Sequence, residues 1–315
     1  MLVEIRGAGD IATGIAIRLH RAGCKVVMCD LAIPTSIRRT VCFSEAIRLG
    51  TCEVEGIRAR LAHNLAEART IVVNGDVAVL VDPSGASAAE LKPAVLVDAI
   101  LAKKNLGTTR DMAPVVIGVG PGFTAGRDCH AVVETKRGHY LGQVILDGPA
   151  APNTGIPGVI AGHSADRVLR APVDGVFEPV LQIGDVVRAG QVAATVAGVP
   201  MTCTIDGVLR GLLQEGVEVT AGMKSGDIDP RCERAHCFTA SGPSARMTSA
   251  KAWVAWRMTW MFIWCRPTHM VPRRPAVPNS SGAKNRLSIS FSSPEIERSS
   301  SFSASLSAEL LSHFS

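Results

Sequence analysis

The chain has 315 residues, of which 47% are hydrophobic, so it can bury a sizeable core and has the length of about two domains. No apolar run reaches the roughly 18 residues of a membrane span, and Glu4 and Arg6 interrupt the stretch where a signal peptide would be apolar. Nine scattered cysteines do not suggest a secreted disulfide framework. We therefore expect a cytoplasmic protein without a membrane partner.

The net charge of +5 is unevenly distributed. Residues 1–240 contain 24 Lys and Arg against 25 Asp and Glu, whereas residues 241–315 contain 9 against 3. A nucleic-acid-binding surface requires basic residues clustered on a folded domain. The first 240 residues have no basic excess, so the sequence argues against a nucleic-acid partner.

The N-terminus has the pattern of a nucleotide-binding strand, loop and helix. A short apolar strand at residues 2–5 precedes Gly7, Gly9 and Ala12, which match a G-x-G-x-x-A loop. A periodic helix is predicted over residues 11–21, and a second strand over 25–29 ends at Asp30, where an acid would bind a ribose hydroxyl. These residues predict a site for a nucleotide or a nucleotide-like ligand.

Asp10 is unusual in such a loop, because a carboxylate there would repel a pyrophosphate. One interpretation is structural, with Asp10 capping the helix N-terminus. The other is functional, with a ligand that differs from ordinary NAD. Arg38 and Arg39, before a predicted helix, are candidates for clamping a phosphate, although a solvated arginine pair fits the pattern equally well.

Further apolar runs predict strands at residues 71–73, 77–81, 95–97 and 115–119, which suggests a doubly wound parallel sheet. The last of these strands leads into a glycine-rich loop with Gly120 and Gly122, followed by the candidate catalytic residues Asp128, Cys129 and His130. Open α/β sheets place their chemistry at such strand ends. Neighbouring strand residues face opposite sides, so a Cys129–His130 pair is not expected, and a packed cysteine beside a surface histidine remains the alternative. No ligand spacing indicates a metal site.

Residues 171–191 and 203–223 form an internal repeat, identical at 9 of 21 positions. Each half contains Asp-Gly, an apolar strand and Ala-Gly, which is the turn chemistry of short β-strands. Two such halves resemble a biotinyl/lipoyl barrel, in which the hairpin between them carries a modified lysine. The hairpin at residues 192–202 contains no lysine, so covalent biotin or lipoate is excluded there.

Composition changes near residue 240, and all four tryptophans follow it. Trp253, Trp256, Trp260 and Trp264 have helical spacing, as in a membrane-surface or partner helix. The prolines and serines that follow favour disorder instead. A frame-shifted coding sequence also explains the change.

The predicted fold class is α/β, with a Rossmann-like N-terminal domain at residues 1–165 that contains the glycine-rich central loop. A β-rich biotinyl/lipoyl-like barrel without a carrier lysine is predicted for residues 166–235, and a disordered C-terminal tail for 241–315.

Several longer motifs occur in order, at residues 7–14, 37–46, 128–139, 153–158 and 225–231. Together they resemble the family of selenium-dependent molybdenum hydroxylase system proteins over residues 1 to about 240. The resemblance implies a bacterial cytosolic accessory factor that helps to install or activate a selenium-containing molybdopterin centre. It also implies as partners a client molybdenum hydroxylase and other cofactor-maturation proteins, and a homo-oligomer is compatible with it.

Three functions remain open from the sequence, including whether the protein is an enzyme. The first is a maturation factor that binds molybdopterin dinucleotide or another nucleotide, with Cys129 handling sulfur or selenium. The second is an NAD(P)-dependent oxidoreductase, for which no motif places a proton donor. The third is a non-catalytic scaffold that docks to the client hydroxylase.

Overall fold

A nine-stranded mixed sheet dominates the N-terminal part of the computed structural model, which describes residues 1–240. Helices lie between several of its strands. The elements in chain order are β1 (Leu2–Arg6), α1 (Asp10–Arg21), β2 (Lys25–Asp30), a 3-10 helix (Arg39–Val41), α2 (Glu45–Leu49), β3 (Thr51–Val54), β4 (Ile57–Ala62), α3 (Leu65–Val73), β5 (Val77–Val81), α4 (Ser87–Leu91), β6 (Val95–Asp98), β7 (Val115–Val119), β8 (Thr124–Ala125), β9 (Ala131–Val133), β10 (Val144–Ile145) and β11 (Gly148–Pro149).

The strand order in this sheet is β10-β9-β7-β6-β1-β2-β5-β4-β3. In this order, all neighbouring strands between β9 and β4 are parallel. The edge strands β10 and β3 are antiparallel to their neighbours. The inner strands are buried on both faces and mostly apolar, as is typical of parallel sheets, with Glu4, Arg6 and Asp98 as buried charged exceptions. The chain continues from β1 to β2 on one side, whereas β6 pairs with β1 on the other side. The strand order therefore changes direction at β1, and open α/β sheets form ligand crevices at such points.

The C-terminal part of the described chain is built from short antiparallel strands. They are β12 (Val168–Arg170), β13 (Gly175–Pro179), β14 (Val186–Val187), β15 (Val192–Val196), β16 (Val199–Thr202), β17 (Gly207–Leu212), β18 (Glu218–Val219) and β19 (Lys224–Asp229), flanked by 3-10 helices at Ala165–Arg167 and Arg234–Cys237. They form two four-stranded sheets, β12-β19-β17-β14 and β16-β15-β13-β18, around a shared apolar core.

The strands of the two repeat copies pair crosswise, the first strand of each copy with the second strand of the other. The first copy supplies β13 and β14 and the second supplies β17 and β18; β13 pairs with β18, and β14 pairs with β17. Each sheet therefore contains one strand from each copy, which explains why both copies keep the same Asp-Gly and Ala-Gly turns. The hairpin between the copies is β15–β16.

The two parts of the described chain pack together through residues 34–39. The backbone N–H of Leu212 donates to the carbonyl of Ile37 at 2.8 Å, and the guanidinium of Arg39 donates to the carbonyl of Leu212 at 2.9 Å. A side chain at Gly211 would come within 3.2 Å of the Ile37 carbonyl oxygen. The loop after β2 thus lies directly against β17, and the described residues all fall within one compact unit.

The predicted fold class, a Rossmann-like domain followed by a biotinyl/lipoyl-like barrel, is wrong. The described chain instead combines a large mixed sheet with a two-stranded sheet, β8–β11, and two four-stranded antiparallel sheets. The sequence pattern located β1, β2, β5, β6 and β7 but not the partners of these strands. Partners are set by contacts between segments far apart in sequence, such as β17 with residues 34–39. The predictions for residues 241–315, including the tryptophan helix, disorder and the frame shift, lie outside the described residues.

One predicted strand is a helix. Residues 71–73, Ile-Val-Val, favour a strand by composition, but they end α3. The Asn64 side chain accepts a hydrogen bond from the backbone N–H of Glu67 and caps this helix. Helix burial of Ile71 and Val72 then outweighs the β preference of three branched residues. No helix among residues 1–240 is long and apolar enough to cross a bilayer.

Candidate functional site

A cavity of about 470 Å³ lies at the carboxyl ends of β1, β2, β5 and β6. Its size is typical of small-molecule sites, which span roughly 300–1,000 Å³. The walls come from four loops, after β1, β2, β5 and β6, and the lining includes Arg6, Gly7, Gly9, Asp10, Cys29, Asp30, Ser36, Asp82, Ala99 and Leu101. The structure therefore brings four of the predicted ligand-binding residues, Gly7, Gly9, Asp10 and Asp30, to one cavity.

The glycine loop is shaped by close backbone contacts. Gly7 has a φ of +94°, and a side chain there would meet the carbonyl oxygen of Ala99 at 2.9 Å, so only glycine fits. Gly9 has an ordinary φ of −72° and is the N-cap of α1. Ala12 is buried in α1 and packs in the core rather than lining the cavity. The N-terminus of α1 thus opens at the cavity, where its backbone N–H groups and dipole favour an anion.

Asp30 holds the glycine loop in place from the end of β2. One carboxylate oxygen accepts a hydrogen bond from the backbone N–H of Ala8 at 2.7 Å, and the other accepts one from Leu31 at 2.8 Å. Burial raises the pKa of Asp30, and these two hydrogen bonds oppose that rise. Each oxygen can accept a second hydrogen bond, so Asp30 can position the loop and still receive ligand hydroxyls.

Asp10 does not cap α1, because the N-cap is Gly9, and no side-chain cap bond is made. Instead, its carboxylate pairs with the buried guanidinium of Arg38 at 2.7 Å. The Arg38 side chain also donates to the carbonyls of His236 and Thr239. The negative charge that would repel a phosphate is therefore compensated inside the protein, which the sequence spacing of these residues did not reveal.

The structure does not place Arg38 and Arg39 as a phosphate clamp. Neither side chain lines the cavity. Arg39 donates to the carbonyl of Leu212 and lies 3.5 Å from a carboxylate oxygen of Glu45. Both arginines instead connect the loop after β2 to the C-terminal part of the described chain, Arg38 to His236 and Thr239 and Arg39 to Leu212.

Arg6 is a cavity residue that the sequence analysis did not identify. It is 2% exposed, and its guanidinium lies 3.4 Å from the carboxylate of Asp98 and donates to the hydroxyl of Thr108 and the carbonyl of Leu106. Thr108 in turn donates to Asp98. The signal was present in β1, where charged and apolar residues alternate, so that Glu4 and Arg6 face the same side of the sheet.

Glu4 lies beneath the cavity and is fully buried. One carboxyl oxygen accepts a hydrogen bond from Ser87 at 2.9 Å and contacts the thiol of Cys29 at 3.6 Å, while the other has no partner. Burial raises the pKa of Glu4 to about 7, although the Ser87 and Cys29 contacts lower it. The neighbouring Asp82 behaves differently. Burial raises its pKa, but hydrogen bonds from Ser87 and Ser84 outweigh this and bring it to about 2.

The raised pKa of Glu4 predicts how this residue affects stability across pH. An unfolded glutamate titrates near pH 4.3, roughly 2.7 units below about 7, so the folded protein holds the proton more tightly. Stability from this group is therefore present below about pH 4 and is lost as the pH rises through about 7, by about 4 kcal/mol in total. Relative to wild type, Glu4→Gln is expected to gain stability between pH 5 and pH 8, measured by urea unfolding at each pH.

Glu90→Gln is the matched control, because Glu90 is an exposed residue of α4. Its unfolding free energy should follow that of the wild type at every pH. If the Glu4→Gln and wild-type profiles stay parallel from pH 5 to pH 8, Glu4 does not carry the expected proton.

The second predicted site, around Gly120, is organised differently. Gly120 has a φ of +80°, and a side chain there would meet the Thr135 hydroxyl at 2.7 Å; one at Gly122 would meet the Lys104 backbone at 2.7 Å. Both glycines are therefore required by close packing. Leu101, which packs against Gly120, lines the cavity, but neither Gly120 nor Gly122 does.

Asp128, Cys129 and His130 do not converge on a common point. The carboxylate of Asp128 accepts a hydrogen bond from the backbone N–H of Thr124 and forms an ion pair with Arg127. Cys129 is fully buried in the core, and burial raises the pKa of its thiol, which opposes formation of the reactive thiolate.

Nδ1 of His130 accepts a hydrogen bond from the backbone N–H of Val116. Burial, and then the charge of Arg110, lower the pKa of His130, which favours the neutral ring. These contacts are those of packing residues, and a chemical role for the three stays a prediction. Within residues 1–240, no group of three or more His, Cys, Asp or Glu side chains could hold a metal ion.

The chain is similar to the protein described as "Uncharacterized protein YqeB" of Escherichia coli (strain K12), with 53% identity over 245 residues. The match covers 78% of this chain and 45% of that protein, so the chain spans about half the length of the curated relative. This similarity supports a YqeB-like bacterial protein. No protein-family model matches the chain.

The chain also has low similarity to two solved structures. A succinylglutamate desuccinylase/aspartoacylase from Rhodobacter sphaeroides has 28% identity over 20% of this chain and 22% of its own, with a TM-score of 0.19. An aspartoacylase family protein from Mesorhizobium loti has 10% identity over 64% of this chain and 56% of its own, with a TM-score of 0.20.

Proposed function

We propose that the cavity at Gly7 and Gly9 binds a nucleotide-bearing cofactor. The observation that carries this proposal is the cavity itself, into which a glycine loop, a helix N-terminus and the carboxylate of Asp30 converge. The loop and helix suit the phosphates, and Asp30 suits the hydroxyls of a ribose. The Arg38 partner of Asp10 removes the main electrostatic objection to a phosphate beside this loop.

The wider role that we propose is maturation of a selenium-dependent molybdenum hydroxylase in the bacterial cytoplasm. Its support is the ordered set of motifs given above, and molybdopterin dinucleotide is then the ligand of first choice. The client hydroxylase and other cofactor-maturation proteins are the proposed partners. In this role the protein binds and orients the cofactor, and its own residues need not perform a covalent step.

Binding is tested by calorimetric titration of the full chain with molybdopterin cytosine dinucleotide, CTP, ATP, NADH and NADPH. A ligand at about 100 times its dissociation constant should also stabilise the fold by roughly 2.7 kcal/mol. Preference for the molybdopterin dinucleotide supports the proposal. Preference for a nicotinamide would favour an oxidoreductase, and no binding by a folded chain would favour a scaffold.

Gly9→Ala is expected to weaken binding of the preferred nucleotide by at least about tenfold, or about 1.4 kcal/mol. The new methyl group would lie 3.2 Å from the Ser36 hydroxyl, between two residues that line the cavity. The φ of Gly9 suits alanine, so the fold should be retained. Dissociation constants of variant and wild type, measured by titration calorimetry, check this expectation.

Ala66→Ser is the control, because it adds one heavy atom at an exposed position of α3 that does not line the cavity. Equal nucleotide affinity for Gly9→Ala and wild type would mean that the ligand does not bind beside Gly9.

A further inference from the structure

A second concentration of charge lies outside the cavity, where β17 and β19 meet the loop before β12. Arg210 and Arg167 both bind the carboxylate of Asp227, and Arg210 lies 3.5 Å from Asp229. Arg231 pairs with Asp229 at 2.6 Å. Both aspartates are at most 1% exposed, and arginine donors engage both oxygens of each carboxylate.

Arg137 brings an additional positive charge to this cluster. Its side chain is exposed and makes no ion pair with any residue in the described part of the chain. A side chain built at Gly158 would lie 3.1 Å from Nη1 of Arg137, and Arg167 donates to the carbonyl of Gly158 at 3.2 Å. Two guanidinium groups therefore lie against one glycine, although only Arg167 has a carboxylate partner.

The charges of this cluster do not balance. Four arginines, at positions 137, 167, 210 and 231, and Lys224 face three carboxylates, those of Asp227, Asp229 and Glu233, and the oxygens of both aspartates are already engaged. Partial burial, and then the charges of Arg167 and Arg210, lower the pKa of Arg137. In addition, Nε of the buried Arg167 has no hydrogen-bond partner in the described structure. An incoming anion would compensate the excess charge and supply the missing acceptors.

We propose that Arg137 and Arg167, on either side of Gly158, form a second ligand site that binds a phosphoryl group. Guanidinium groups bind phosphate oxygens through paired hydrogen bonds, which suits two arginines converging on a small space. None of these residues lines the cavity at Gly7, so the site is independent of the proposed nucleotide site.

The test is calorimetric titration of the full chain with inorganic phosphate, at an ionic strength held constant with sodium chloride. Saturable binding is expected, and Arg137→Gln should weaken it at least about tenfold. Arg137 is exposed, so the variant should fold, which its thermal transition verifies. Arg188→Gln is the charge-matched control, because it removes one exposed arginine elsewhere and should leave phosphate affinity unchanged.

Phosphate could also enter the nucleotide cavity, and the Gly9→Ala variant separates the two sites. The proposal is wrong if phosphate does not saturate, if Arg137→Gln binds it like wild type, or if only Gly9→Ala reduces binding. Binding lost in Arg137→Gln and kept in Gly9→Ala supports it, even if no nucleotide binds the cavity. Phenyl phosphate, titrated in parallel, identifies the source: tighter binding than inorganic phosphate indicates a phosphate monoester, and weaker binding indicates free phosphate.

Discussion

Replacing Asp227 with asparagine is expected to lower the free energy of unfolding by about 3–5 kcal/mol. Asp227 is 1% exposed on β19, and its carboxylate binds the guanidinium groups of Arg167 and Arg210. Asparagine has nearly the same size, but it removes the negative charge and leaves both buried cations without their main counterion. Equilibrium unfolding in urea measures the loss.

Two comparisons make this result specific to the buried charge. Glu218→Gln removes an exposed carboxylate of β18 and should change stability by less than about 0.5 kcal/mol. If the arginine cluster binds phosphate, inorganic phosphate should stabilise Asp227→Asn more than wild type, because the variant has a larger unbalanced charge. A loss below about 1 kcal/mol for Asp227→Asn would show that the cluster tolerates the change.

Replacing Arg6 with methionine is also expected to cost about 3–5 kcal/mol of stability. The Arg6 and Asp98 side chains are each 2% exposed, so methionine would leave the Asp98 carboxylate buried without its cation. The hydrogen bond from Arg6 to the Leu106 carbonyl is lost as well. Because Arg6 lines the cavity, nucleotide affinity should fall in the same variant. Urea unfolding and titration calorimetry check the two effects separately.

Arg21→Met is the control for this experiment. Arg21 pairs with Glu55 at 3.6 Å, but the side chains are 44% and 27% exposed, and such pairs contribute about 0–1 kcal/mol. A double variant, Arg6→Met with Asp98→Asn, should be less destabilised than the sum of the two single variants, because neither charge is then left alone. Additive losses would mean that Arg6 and Asp98 do not depend on each other.

The local elements around the cavity were largely predictable from the sequence. The residues at 2–30 have the spacing of strand, glycine loop, helix and strand, and the structure has β1, α1 and β2 there. Local spacing defines such elements because backbone hydrogen bonds and turns join residues close in sequence. The same pattern predicted that Gly7, Gly9 and Asp30 come together, and all three line one cavity.

The partners of the charged residues were not predictable in this way. Asp10 binds Arg38, 28 residues away, and Arg38 also donates a hydrogen bond to the carbonyl of His236, 198 residues away. Arg6 binds Asp98, 92 residues away. The sequence shows that a carboxylate stands in the glycine loop and a guanidinium in a buried strand, but it does not show which opposite charge compensates each one.

The sequence by itself determined the strands β1, β2, β5, β6 and β7, the glycine loop, the repeat and the absence of a lysine from its hairpin, because each depends on residue type and short-range spacing. The tertiary structure decided how the strands are paired, that residues 34–39 pack on β17, and that Cys129 is buried away from the cavity. These features depend on burial and on charge pairing between distant segments. The free energy of a buried charge is set by the partner that folding brings to it, and no local pattern records that partner.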